Sequence, residues 1–231
     1  MRSSEIVDVN VLFSRAGIAT NILVRLGRTF FLVDAGDGTL RDLLAKGVPP
    51  KSLTAILLTH GHSDHVAGLY GVLGYLRAED FRGALAIVYP KGCCEVEALV
   101  EAFYKCYSDT IRFQIDRYVL VDKEEVQIGE IRVQAWQMRH WHSIAGKPLN
   151  PAPALGYRLI YSGHTIAITG DTAFFPELRD FIKGADIAVI EATLPEDTPG
   201  TSDFVHLTRE QAQELANLAK RALFVHRTIF P

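Results

Sequence analysis

A run of six residues in the first third of the chain brings together three imidazole groups and one carboxylate. It reads His60-Gly61-His62-Ser63-Asp64-His65 and follows a short apolar segment, residues 55–58. Imidazole and carboxylate groups are the ligands that suit zinc and related divalent ions. A loop this tight cannot wrap tetrahedrally around a single ion with all four groups, so two ions about 3.5–4 Å apart fit better. The run therefore predicts half of a two-metal site.

Further candidate ligands stand where predicted strands end. His140 follows the strand-rich stretch Val126–Met138, and Asp171 and His226 each follow a short apolar strand. Asp34 ends another apolar segment. Polar groups at the strand ends of an α/β fold are where binding sites collect. We therefore expect these side chains to complete the site.

The elements that must position these residues alternate between strands and helices. Hairpins are predicted around Gly27-Arg28 and Ser162-Gly163, and helical spacing recurs over residues 69–76 and 95–107. Thr208 and Gln211 form a capping box that opens a C-terminal helix. This order predicts an α/β protein with two mixed sheets packed face to face and helices on the outer faces.

Length and composition fit one fairly large globular domain over residues 1–231, although length alone also allows two small ones. The chain is 48% hydrophobic and 22% charged. Its formal net charge of −3 offers no overall attraction for nucleic acid.

The cysteines and the N-terminus predict a soluble protein of the cytoplasm. Cys93, Cys94 and Cys106 are odd in number and partly adjacent, which favours buried, reduced thiols over disulfides. The N-terminal residues lack the apolar core of a signal peptide. No stretch reaches the ~18 apolar residues of a membrane span, so we expect no membrane partner.

Several segments together resemble the metallo-β-lactamase superfamily. They are the block 30–36 that contains Asp34, the stretch Ile56–Leu69 with its His-x-His-x-Asp-His run, and Ile168-Thr169-Gly170-Asp171-Thr172. Ile190-Glu191-Ala192-Thr193, His206-Leu207-Thr208 and the strand ending at His226 are similar to the ribonuclease Z-like branch. The resemblance spans residues 18 to 227. It implies an αβ/βα four-layer sandwich with metals at one edge.

The resemblance also implies a ligand set. One metal is expected on His60, His62 and His140, and the other on a second trio, with Asp171 bridging the two. The second trio is Asp64, His65 and His226. His142 is an alternative to His140 because it lies only two residues away.

Three residues are expected to take part in the reaction. A water held between two divalent ions loses a proton near neutral pH and becomes the nucleophile, and Asp64 can orient or deprotonate it. Glu191 and His206 resemble the pair that assists the leaving group in ribonuclease Z-like enzymes. Asp34 is expected to orient a ligand histidine by a hydrogen bond, and His164 to be an exposed residue beside a turn.

The expected activity is that of a binuclear metal-dependent hydrolase, with a phosphodiester as the favoured substrate. The interval between His140 and Asp171 is short, and the chain ends five residues after His226. Together with the negative charge, these features favour a small-molecule ester or phosphodiester over RNA. Other ester classes (sulfate, lactone or thioester) and a non-catalytic nucleic-acid-binding or scaffold protein are alternatives. Two Zn²⁺ ions are the favoured cofactors, with Mn²⁺ or Fe²⁺ also compatible, and a homodimer is left open.

Overall fold

The computed structural model describes residues 6–144, 147–195 and 205–228. The chain divides into two compact units, Met1–Val119 and Leu120–Pro231. Two six-stranded sheets and one two-stranded sheet are formed by the described residues. The assignment of residues 1–231 to a single domain stays a prediction.

The described residues of the first unit form a mixed sheet, four α-helices and one short 3-10 helix, Pro50–Ser52. The strands are β1 (Val7–Arg15), β2 (Ala19–Leu26), β3 (Thr29–Ala35), β4 (Leu53–Leu57), β5 (Ala84–Pro90) and β6 (Gln114–Leu120), in that spatial order. The helices are α1 (Thr39–Ala45), α2 (Ser63–Val66), α3 (Leu69–Ala78) and α4 (Cys94–Tyr107).

Strand direction in this sheet brings two polar residues to one edge. β1, β2 and β3 are antiparallel neighbours, and the predicted hairpin at Gly27-Arg28 is present. β3, β4 and β5 then run parallel and are almost wholly apolar, as strands covered on both faces are. The carboxyl ends of β3 and β4 therefore meet, which places Asp34 beside Thr59.

The helical periodicity predicted for the first unit is confirmed in the core. Helix α3 buries Leu69, Val72, Leu73 and Leu76 along one face. Burying one such side chain stabilises the fold by roughly 1.5–3 kcal/mol. The helix that follows the histidine run is thus held firmly against the sheet.

The second unit holds the other large sheet and a small hairpin. Its strands are β7 (Glu125–Ile128), β8 (Ile131–Gln137), β9 (Trp141–Ile144), β10 (Lys147–Pro151), β11 (Leu155–Tyr161), β12 (His164–Ile168), β13 (Ile187–Glu191) and β14 (Ala222–Val225). The helices are α5 (Leu178–Ile182) and α6 (Arg209–Ala216). The large sheet has the order β14-β13-β12-β11-β8-β7, and β9 pairs with β10.

Three parallel strands set the position of the second group of polar residues. β12, β13 and β14 run parallel, so the loops that follow them leave the same edge of the sheet. Those loops carry Asp171, Thr193 and His226. The predicted capping box of α6 is confirmed, with Thr208 Oγ1 accepting from the Gln211 backbone N–H.

The long strand stretch predicted over Val126–Met138 contains two strands rather than one. It divides into β7 and β8, which pair antiparallel with Ile128 opposite Ile131. Gly129 lies at a φ of 59°, a conformation that glycine adopts without steric cost, and it turns the chain back on itself. Alternation of apolar residues on both sides of Gly129 concealed the turn.

The cysteines differ from one another in burial. All three are free thiols, but only Cys93 is buried, whereas Cys94 and Cys106 are exposed. Burial raises the pKa of the Cys93 thiol to about 12. The expectation that these thiols are buried is therefore wrong for two of them. No helix in the described part of the chain has both the length and the apolar character needed to cross a bilayer.

Candidate metal centre

A buried carboxylate organises the histidine run of the first unit. Asp34 is 1% exposed and accepts hydrogen bonds from the Thr59 backbone N–H (2.8 Å) and the Thr59 hydroxyl (3.0 Å). The Nδ1 atom of His65 lies 2.7 Å from Asp34 Oδ2. The expected hydrogen bond is thus present: His65 donates from Nδ1 to Asp34, which leaves Nε2 of His65 as the ligand atom.

The other members of the run lie close to His65. The ring centroid of His60 is 4.6 Å from that of His62 and 4.2 Å from that of His65. Asp64 Oδ2 lies 3.7 Å from His65 Nε2 and accepts a 2.9 Å hydrogen bond from the backbone N–H of Gly17. The four predicted ligands of this unit therefore form one cluster at the edge where β3 and β4 end.

Close backbone packing supports the start of helix α2. A Cβ atom on Gly36 would overlap the carbonyl oxygen of Asp64 and lie 2.8 Å from the Thr20 amide nitrogen. A Cβ on Gly68 would likewise overlap the carbonyl oxygen of Gly36. Only glycine allows the loop after β3 to lie this close to the backbone that carries Asp64.

Replacing Gly36 by alanine is expected to lower the free energy of unfolding by about 1–3 kcal/mol. The overlapped atoms belong to the backbone, so no side-chain rotation can relieve the contact. Gly74→Ala in helix α3 is the matched control, since a Cβ there meets nothing within 4 Å. It should stabilise the protein by roughly 0.5–1 kcal/mol. Urea unfolding of both variants measures the difference, and equal midpoints would contradict the close approach.

A second buried carboxylate organises the site residues of the other unit. Glu191 is fully buried, and its Oε1 accepts from the Thr172 backbone N–H (2.9 Å) and from His206 Nδ1 (3.0 Å). Its Oε2 accepts from the Thr193 backbone N–H (3.2 Å) and hydroxyl (2.6 Å). The Glu191–His206 pair expected from the sequence is therefore formed. All four donors hold the carboxylate in one orientation.

Asp171 lies among three histidines of the same unit. Its Oδ2 is 3.3 Å from His226 Nε2 and 3.8 Å from His206 Nδ1. His140, Asp171 and His206 each have one potential metal-ligand atom within 4.8 Å of those of the other two. His140 donates from Nδ1 to the Val205 carbonyl oxygen at 2.8 Å, so its Nε2 carries the lone pair. The predicted ligands of this unit also form one cluster.

The remaining histidines take different places. His142 lies half-buried in β9 and, among the described residues, belongs to no group of three potential metal ligands. His164 begins β12 with 41% of its side chain exposed, 3.7 Å from Asp186. Its side chain is thus partly exposed, beside the Ser162-Gly163 turn as expected. The geometry of this unit favours His140 over His142.

Two site residues have a backbone conformation that side chains rarely adopt. Asp34 has a φ of 59° and His226 a φ of 55°. Such conformations cost about 1–3 kcal/mol each and persist where surrounding contacts impose them, often at functional sites. In each case the side chain is buried and held by hydrogen bonds at the end of a strand.

The donor chemistry of both clusters fits a divalent metal. Each combines buried imidazoles with at least one carboxylate, and His65 and His140 are oriented through Nδ1 so that Nε2 can coordinate. The clusters thus have the ligand types expected for zinc, manganese or iron.

Comparison with known proteins identifies the family. The family model described as "Beta-lactamase superfamily domain" matches residues 29–227. The chain belongs to the beta-lactamase superfamily. Its fold class as predicted from the sequence, with two mixed sheets and helices, is confirmed by this match and by the likeness to solved members.

Curated relatives place the chain in the ribonuclease Z-like branch of the superfamily. Ribonuclease Z of Mycobacterium bovis (strain BCG / Pasteur 1173P2) is 34% identical over 191 residues, covering 79% of this chain and 66% of that protein. Ribonuclease Z of Mycolicibacterium gilvum (strain PYR-GCK) is 33% identical over 220 residues, covering 89% and 75%. The crystal structure of human tRNase Z, short form, aligns with a TM-score of 0.78 at 22% identity, over 96% of this chain and 93% of that one. That likeness shows a shared superfamily fold.

Two threonines beside the site were given no role by the sequence. Thr59 and Thr193 both lie within hydrogen-bonding distance of a buried acid and of a histidine ring. Both stand next to predicted site residues in the superfamily motifs. In the sequence, the signal available for each was a hydroxyl side chain within two residues of a predicted site residue. The hydrogen-bond partners of that hydroxyl can be identified only in the folded chain.

Proposed function

We propose that this superfamily member is a metal-dependent phosphodiesterase. The observation that supports it best is the contact between buried Glu191 and half-buried His206. This pair lies beside Asp171 in a cluster with the ligand chemistry of a divalent metal. Glu191 accepts a hydrogen bond from His206 Nδ1. The imidazolium form of that ring carries a second proton on Nε2, which can be given to a departing alkoxide oxygen. The relatives named ribonuclease Z support the same reaction class.

The proposed ligand set is the one that the superfamily resemblance implies. His60, His62 and His140 would hold one ion, and the second trio would hold the other, with Asp171 shared. The second trio is Asp64, His65 and His226. Divalent metal ions bound to such donors supply Lewis acidity and activate water. Zinc is the favoured ion, because imidazole supplies most of the donors. Asp64 would orient the attacking water, with its Oδ2 held by the Gly17 N–H.

A cavity in the second unit suits an anionic substrate. It has a volume of about 700 Å³, and Arg209, Arg227 and Phe224 contribute to its lining. Arg227 directly follows His226 in the chain, whereas none of the proposed ligands contributes to the lining. Of the two glutamates in the lining, Glu214 is paired with Arg179 at 2.6 Å. Guanidinium groups can bind a phosphate, and an aromatic ring can stack on a base.

We propose that the substrate contains a phosphodiester bond, which either a small molecule or an RNA could supply. The sequence favours a small phosphodiester, whereas the names of the relatives make RNA the second source to test. A small substrate and a cytoplasmic location both remain proposals. The first rests on the short 140–171 interval and the second on the cysteine pattern.

Metal dependence and substrate class are tested together on one preparation. The protein is stripped with a chelator, reloaded with Zn²⁺, Mn²⁺ or Fe²⁺, and assayed on small phosphodiesters, RNA, sulfate esters, lactones and thioesters. We expect phosphodiester hydrolysis to vanish on stripping and to return with at least one ion. Turnover of only another ester class would overturn the phosphodiesterase proposal. RNA binding without any turnover would favour the non-catalytic alternative.

A further inference from the structure

One hydrogen-bonded arrangement in the first unit links a buried acid to two histidines. His65 contacts Asp34 directly through Nδ1, at 2.7 Å. His60 reaches the same acid through Thr59, because its Nδ1 lies 3.1 Å from Thr59 Oγ1 and that oxygen lies 3.0 Å from both carboxylate oxygens. The Thr59 backbone N–H also donates to Asp34, which holds the threonine in place.

The second unit repeats this arrangement with different residues. His206 contacts Glu191 directly through Nδ1, at 3.0 Å. His226 reaches the same acid through Thr193, because its Nδ1 lies 2.8 Å from Thr193 Oγ1 and that oxygen lies 2.6 Å from Glu191 Oε2. The Thr193 backbone N–H donates to Glu191 as well. Each unit therefore contains a buried acid and a threonine whose backbone N–H and hydroxyl both contact that acid. One histidine contacts the acid directly, and a second histidine contacts the threonine hydroxyl.

The direction of these hydrogen bonds follows from the number of protons. A threonine hydroxyl has one proton, and a carboxylate only accepts. The threonine donates that proton to the carboxylate, because a hydrogen bond to a charged group is the stronger one. In agreement with this, Thr193 Oγ1 lies 2.6 Å from Glu191 Oε2 but 2.8 Å from the His226 carbonyl oxygen. The threonine oxygen must then accept from the ring. His60 and His226 therefore carry their proton on Nδ1, with the lone pair on Nε2. Asp171 Oδ2 lies 3.3 Å from His226 Nε2 and belongs to the same proposed ligand set, so we assign these two atoms to metal binding.

We propose that Thr59 and Thr193 are positioning residues that fix the tautomers of His60 and His226 for metal binding through Nε2. One acid thereby orients two rings in each unit, the first directly and the second through a hydroxyl. This inference rests on the metal site of the proposed function. Without the hydroxyl, the ring would be free to place its proton on Nε2 and lose the ligand atom.

The tautomers can be measured directly in the zinc-loaded wild-type protein. Ring ¹⁵N spectra, recorded about two pH units above the ordinary histidine pKa, distinguish a protonated Nδ1 from a protonated Nε2. We expect the proton on Nδ1 in His60 and His226, and averaging between tautomers in the exposed His164. A proton on Nε2 of either His60 or His226 would overturn the proposal, whether or not any variant folds.

Substitution separates the hydroxyl from the shape of the side chain. Thr59→Val and Thr193→Val are each expected to weaken zinc affinity about 10–100-fold in competition with a chelator. Thr59→Ser and Thr193→Ser keep the hydroxyl and should bind as the wild type does. Thr39→Val is the control, since the buried hydroxyl that it removes is hydrogen-bonded to Asn21 and to the Gly36 carbonyl oxygen rather than to a histidine. It should lower the urea midpoint but not zinc affinity.

The outcomes distinguish this inference from the proposed function. Unchanged zinc affinity in both valine variants, with normal phosphodiester hydrolysis, would overturn the threonine roles and leave the hydrolase intact. Wild-type protein that binds zinc through the expected tautomers but hydrolyses no phosphodiester would overturn the proposed function alone.

Discussion

Glu191→Gln is expected to lower the free energy of unfolding by about 3 kcal/mol or more and to lower activity as well. The carboxylate is fully buried and accepts four hydrogen bonds, two on each oxygen. A glutamine places an NH₂ group where one of the two oxygens was. In one orientation this NH₂ faces the Thr193 N–H, and in the other it faces the Thr172 N–H and His206, so donor faces donor in both. Two hydrogen bonds to a charged group, each worth about 1.5–3 kcal/mol, are thereby weakened or lost.

The same substitution should reduce phosphodiester hydrolysis about 10–100-fold, because His206 loses the partner that orients its ring. Urea unfolding followed by circular dichroism measures the first effect, and steady-state kinetics on the folded fraction the second. Glu101→Gln, at an exposed position of α4, is the matched control and should stay within about 0.5 kcal/mol of the wild type. Wild-type stability and activity in Glu191→Gln would show that the buried hydrogen bonds do not carry the arrangement.

His206→Ala is expected to lower hydrolysis of a diester with an alkoxide leaving group by about 10²–10⁴-fold. An alkoxide is a poor leaving group and needs a proton as its bond to phosphorus breaks. A p-nitrophenolate leaves without one, so bis(p-nitrophenyl) phosphate should be hydrolysed nearly as fast as by the wild type. The comparison of kcat/KM on the two substrates isolates the proton-donating role.

His164→Ala serves as the matched histidine control for that experiment. His164 is 41% exposed and contacts Asp186 rather than the site, so hydrolysis of both substrates should be unchanged. Equal losses on both substrates in His206→Ala would instead indicate that His206 binds metal or positions the substrate. Zinc content measured on the same samples separates those two outcomes.

Much of the fold and of the candidate site could be predicted from local patterns. The spacing of Leu69, Val72, Leu73 and Leu76 indicated helix α3, and the Thr208 capping box marked the start of α6. Failures came where a single residue changed the chain direction, as Gly129 does between β7 and β8. A single residue with a φ near 60° does not change the alternation of apolar and polar residues in the sequence, so the turn at Gly129 could not be recognised from that pattern.

The sequence by itself determined the kind of chemistry, because ligand types and their spacing in the run from His60 to His65 are local properties of the chain. The tertiary structure alone decided how those rings are oriented. Thr193 and His226 are 33 residues apart, as Asp34 and His65 are 31 apart, and each pair meets only because parallel strands end at one edge. A ring's tautomer depends on which group lies on its Nδ1 side, and strand register sets that group.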